Sequence, residues 1–205
     1  MAIVVVGGNT RNIGKTSVVA ALIARLPEFR WTAFKITQFG HGFCTADGRP
    51  CACQTDESCV AVNPELDPAT GTDTSRFLQA GADRVFWVRT RIGRLADAMP
   101  RIRQEIAASP NAILESNSIL EFLQPDLYLT VINPAVPDFK QSARRFLPLA
   151  DAILCPHEHA VAPPGALSPA LATKPRFAVG PPDWIPDSLE AFVRSRLGSL
   201  ESARS

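Results

Sequence analysis

Apolar residues come in short blocks separated by polar, glycine-bearing turns, and two periods alternate along the chain. Ala2 to Gly7 (AIVVVG) is a β-branched run ending on glycine, the pattern of a parallel strand buried on both faces. Thr16 to Leu26 spaces its apolar residues for a helix lying on a sheet, and Pro27 stops it. Trp31 to Thr37 predicts a second strand. Further along, the pattern predicts a helix over 73–82, a strand over 84–89 and a helix over 95–108 that Pro100 should kink or break. Strands are expected over 112–115, 126–133 and 152–155, with a helix over 140–149 between the last two. A last strand over 176–179 and a helix over 188–197 complete the series. Strands alternating with helices imply an α/β fold, a mostly parallel sheet with helices on both faces. At 205 residues the chain is expected to be one domain, 1–205.

Two stretches break the rhythm. Residues 38–72 hold four Gly, three Pro and four Cys without periodicity, and read as a Cys-rich loop insertion. Residues 156–186 contain eight prolines and read as irregular.

A glycine-rich turn, Gly8-Asn9-Thr10-Arg11-Asn12-Ile13-Gly14-Lys15-Thr16-Ser17, joins the first strand to the first helix. It is a phosphate loop with five residues between its glycines instead of four. In this setting, backbone N–H groups wrap phosphates, Lys15 adds charge at the outer ones, and the Thr16 hydroxyl serves magnesium. Such a metal needs carboxylates close by. Glu115 ends a predicted strand on the edge where open α/β sheets bind ligands, and Asp73 opens a predicted helix. Asp73 is equally placed to be that helix's N-cap. Lys35, at the end of the second strand, is the second lysine that can meet phosphoryl charge. No guanine-reading Asn-Lys-x-Asp sequence is present, which favours ATP over GTP.

Other residues carry weaker chemistry. Cys44, Cys51, Cys53 and Cys59 lie close enough in sequence to hold zinc or an iron–sulfur centre, or to form a disulfide. Arg89, Arg91, Arg94, Arg101 and Arg103 read as a solvated face before contact with an anionic substrate or partner is considered. Charge is nearly balanced, 21 Lys+Arg against 20 Asp+Glu, which argues against a dedicated nucleic-acid binder. No apolar run reaches the ~20 residues of a membrane helix, and the N-terminus lacks a signal-peptide pattern, so a cytoplasmic protein is expected.

The spacing of the phosphate loop resembles that of dethiobiotin synthetase and its relatives among the dimeric P-loop proteins. The segment Thr72-Asp-Thr-Ser-Arg-Phe-Leu-Gln-Ala-Gly-Ala82 resembles the corresponding stretch of the molybdopterin-guanine dinucleotide biosynthesis adaptor proteins. Lys35 and Ile113-Leu-Glu115 match the strand-end lysine and strand-end acid of both families, and the likeness covers about the first two-thirds of the chain. Ile36 follows Lys35 where dethiobiotin synthetases have proline, and Ser116-Asn117-Ser118 follows Glu115 where both have glycine. The resemblance implies a magnesium-dependent nucleotide enzyme of small-molecule or cofactor metabolism, acting as a homodimer. Its small-molecule acceptor is not named by the sequence. A nucleotide-binding adaptor working through a partner protein, and a metal-handling protein with a Cys-rich loop, are the alternatives.

Overall fold

The structure, a computed structural model, describes residues 1–40, 60–136, 139–157 and 173–204. Eight strands form one sheet in the order β3-β4-β2-β5-β1-β6-β7-β8. They are β1 (Ile3–Gly8), β2 (Trp31–Phe39), β3 (Val60–Glu65), β4 (Arg84–Arg91), β5 (Asn111–Glu115), β6 (Leu127–Val131), β7 (Ala152–Pro156) and β8 (Arg176–Val179). All pairings are parallel except β3 with β4. The β-branched run of β1 sits between β5 and β6, where both of its faces are covered.

The α-helices among the described residues are α1 (Lys15–Arg25), α2 (Asp73–Gln79), α3 (Leu95–Ala107) and α4 (Gln141–Phe146), which lie between strands, and α5 (Asp187–Arg204), which follows β8. Val18, Val19, Leu22 and Ile23 of α1 form one stripe, which packs with Phe77 of α2 and Leu189, Val193 and Leu197 of α5 on one face of the sheet. Leu95, Met99 and Ile102 of α3 and Phe146 of α4 cover the opposite face. Helices on both faces are therefore as the alternating pattern implies.

Two local expectations change. Helix α3 runs through Pro100 from Leu95 to Ala107, because its buried stripe of Leu95, Ala98, Met99, Ile102 and Ile106 holds it against the sheet. Part of the aperiodic stretch, Val60–Glu65, is an edge strand antiparallel to β4. Pro64 is tolerated there because an edge strand pairs on only one side. The four clustered cysteines lie outside the described residues, so the insertion and its metal reading are neither placed nor removed.

Candidate functional site

The turn between β1 and α1 brings the glycine-rich residues to the carboxyl edge of the sheet. Gly14 has φ 92, which favours glycine, and a Cβ there would sit 2.2 Å from the Trp184 ring. The turn is held by two asparagines. The Asn117 side chain accepts from Gly8 N at 2.9 Å and donates to Gly8 O at 2.8 Å. Asn9 Oδ1 accepts from Asn133 N at 3.1 Å, and Asn9 Nδ2 donates to Asn133 O at 3.2 Å. These contacts tie the turn to the ends of β5 and β6, the neighbours of β1.

Lys15 donates from Nζ to Thr10 O at 2.5 Å, closing the loop on itself. Burial is the main cause that lowers its pKa to about 8, partly offset by the Glu115 carboxylate.

The β2–β5 register sets Lys35 beside Glu115. The Lys35 ammonium reaches Glu115 Oε1 at 2.6 Å, Asp73 Oδ2 at 2.9 Å and Thr16 Oγ1 at 3.1 Å. Thr16 Oγ1 in turn donates to Glu115 Oε2 at 2.8 Å. An ammonium has three donors, and all three are used here. Glu115 is 4% exposed, Lys35 17% and Asp73 47%. The structure thus brings Thr16, Lys35, Asp73 and Glu115 to one point at the start of α1. Two carboxylates and a hydroxyl around one cationic nitrogen make a set of hard oxygen donors, which fits magnesium.

The N-cap of α2 is Thr72, whose Oγ1 accepts from Ser75 N at 3.1 Å. The Asp73 carboxylate is thereby free of the capping role and faces Lys35. Arg76, one turn further on, donates to Ser17 Oγ at 2.9 Å and joins α2 to α1. Sequence reasoning did not assign Asn117, Arg76 or Trp184 to this site. The one signal for Asn117 was its place just after the strand-end acid.

Of the five arginines read as one face, the structure makes two groups. Arg94 pairs with Asp97 and Arg101 with Glu105, while Arg103 donates to Phe122 O. Arg89 and Arg91 lie on β4 and pair with no carboxylate among the described residues. Among the described residues no group of three His, Cys, Asp or Glu side chains is close enough to hold a metal, and Cys155 is a free, buried thiol. No described helix is long and apolar enough to cross a membrane.

No family model matches the chain, and no curated protein matches it. Among solved structures, LpxK from Aquifex aeolicus, crystallised in complex with ATP, is similar at a TM-score of 0.50 and 16% identity. The likeness covers 87% of this chain and 53% of that one, so this chain spans about half the length of LpxK. HypB from Helicobacter pylori, solved in complex with nickel, has a TM-score of 0.47 and 16% identity over 98% of this chain and 86% of its own. That score is too low to carry an argument. The mostly parallel eight-stranded sheet with helices on both faces is an α/β fold that this chain shares with LpxK.

Proposed function

We propose that the chain binds a nucleoside triphosphate with magnesium, ATP in preference to GTP, and hydrolyses it or transfers its outer phosphoryl group to a small-molecule acceptor. The observation that carries this reading is the meeting of Thr16, Lys35, Asp73 and Glu115 at the N-terminus of α1, beside the glycine-rich turn. A structural strand–helix turn does not need a buried acid, a second lysine and a helix-first acid on one hydroxyl.

Gly8 N and Asn9 N are bonded within the fold, so the backbone N–H groups of the turn beyond Asn9, as far as Ser17, would face the phosphates, and Lys15 would neutralise the outer ones. Magnesium would be held by Thr16, Asp73 and Glu115, and when bound supplies charge to the β- and γ-phosphate oxygens. Lys35, beside the same residues, would present its ammonium to the charge that develops on the transferring group. A new bond forms from the acceptor or water oxygen to the γ-phosphorus, and the proton on that oxygen passes to solvent. The bond to the bridging oxygen breaks, and the nucleoside diphosphate leaves with that electron pair.

Calorimetry of Lys15→Ala with ATP and magnesium tests the reading. Affinity should fall at least tenfold, because a charged hydrogen bond to phosphate contributes about 1.5–3 kcal/mol. Unchanged affinity in the folded variant removes the reading. Turnover of the wild type separates an enzyme from a nucleotide-binding adaptor. A homodimer belongs to the same proposal through the family resemblance, and sedimentation with and without nucleotide tests it.

A further inference from the structure

Strand β4 carries Trp87, Arg89 and Arg91, which take no part in the Thr16–Lys35–Asp73–Glu115 cluster. Residues in register on neighbouring strands share a face, as stacked Phe34 and Phe86 show at 5.3 Å between ring centres. Lys35 pairs with Trp87, Thr37 with Arg89 and Phe39 with Arg91. These six side chains alternate with Phe34 and Phe86, and therefore lie on the face that holds α1, α2 and the Lys35 cluster. Trp87 is fixed there by donating from Nε1 to Thr37 Oγ1 at 3.1 Å. The Arg89 guanidinium lies over the Trp87 ring, 4.8 Å from its centre.

The Arg89 guanidinium pairs with no carboxylate among the described residues. Its Nε is buried without a hydrogen-bond partner among the described residues, and the other two such atoms are threonine hydroxyls. A buried charged donor without an acceptor is costly, and native structures seldom keep one unless a water, an ion or a ligand supplies the acceptor. The neighbours on its face are Thr37 on β2, Ala61 on β3, and Trp87 and Arg91 on β4, none of them acidic. Two residues along and one strand across place Arg89 roughly 8 Å from Lys35 between Cα atoms.

We propose that Arg89, stacked on Trp87 and backed by Arg91, binds the anionic group of the acceptor, a carboxylate or a phosphate monoester. The acceptor's nucleophile is thereby held beside Lys35. This inference rests on the phosphoryl-transfer reading and narrows it to an anionic acceptor. A guanidinium suits such a group because its planar fork meets two oxygens at once, which a lysine cannot do.

The test uses the full chain loaded with magnesium and a non-hydrolysable ATP analogue, so that the phosphate loop is filled. Succinate and phenyl phosphate are titrated separately while the N–H resonances of the three tryptophans are followed by NMR. Trp87→Phe assigns the relevant signal. Buried Trp31, bonded to Leu26 O, is the internal control. One of the two probes should move the Trp87 signal saturably and leave Trp31 still, and the arm that does so distinguishes carboxylate from phosphate. Arg89→Gln should weaken that probe at least tenfold, with nucleotide affinity within twofold of wild type. Arg91→Gln, on an exposed side chain, should weaken it less. The proposal is overturned if neither probe moves Trp87 in the wild type, or if Arg89→Gln binds the probe as well as wild type. Probe binding at Trp87 in a chain that does not take up the nucleotide would sink the phosphoryl-transfer reading and keep the anion site.

Discussion

Lys35→Met should convert a self-neutralised site into one that takes a divalent cation without nucleotide. In the wild type the ammonium occupies the point at which Thr16, Asp73 and Glu115 converge. Methionine keeps much of the length and the apolar stem but leaves two carboxylates facing each other. Breaking a buried ion pair from one side costs about 3–5 kcal/mol. Asp73 is 47% exposed and can be rehydrated, whereas Glu115 is 4% exposed and cannot. Only the Glu115 half carries the full penalty, so the net loss should be about 2 kcal/mol. For a chain of this size that lowers Tm by about 4–8 °C. Magnesium alone should restore most of it, since a ligand at 100 times its Kd stabilises by about 2.7 kcal/mol. Differential scanning calorimetry with and without magnesium chloride, both without nucleotide, measures the effect. The wild type should respond little and the variant strongly. Equal responses, or a variant as stable as wild type that ignores magnesium, would refute the idea that Lys35 holds the cation position.

Lys15, Gly14 and the clustered cysteines carry the remaining expectations. Lys15, lowered from 10.5 to about 8 by burial, binds fewer protons folded than unfolded between those pH values, so this group adds stability as pH rises through that window. Nucleotide binding needs its charged form, so affinity should fall above about pH 8 and binding at pH 8 should take up about half a proton, read by calorimetry in buffers of different ionisation heat. Gly14→Ala forces a side chain into φ 92 and against the Trp184 ring, and should cost about 1–3 kcal/mol and most of the nucleotide affinity, measured by thermal melts and calorimetry. If the four clustered cysteines bind zinc, protein purified without chelator should contain about one equivalent by elemental analysis, and metal-free preparations would end that proposal.

The glycine-rich turn, the parallel α/β architecture and the strand-end acid were legible because each is a local pattern. A β-branched run, a turn that needs a left-handed glycine and a helical stripe announce themselves within a few residues. The edge strand β3 was not legible. Its run holds Pro64 and Asn63, and it becomes a strand only by pairing with β4. The true cap of α2 was missed for a similar reason. Thr72 and Asp73 are both good capping residues, and only the position of Lys35 decides which one turns away.

Residue types and their order along the chain determined that strands and helices would alternate, where the glycine-rich turn would lie, and that the first helix would begin within a residue of Thr16. Tertiary structure alone decided who meets whom. Lys35 and Glu115 stand 80 positions apart in the chain, and the β2–β5 register makes them neighbours. Asn117 reaches Gly8 across 109 positions because β5 pairs with β1. Arg89 and Arg91 are separated from Arg94, Arg101 and Arg103 because β4 ends before α3 begins. Side-chain charge and size are written residue by residue, but a low-dielectric contact between them depends on strand order, which is settled by burying the whole sheet at once.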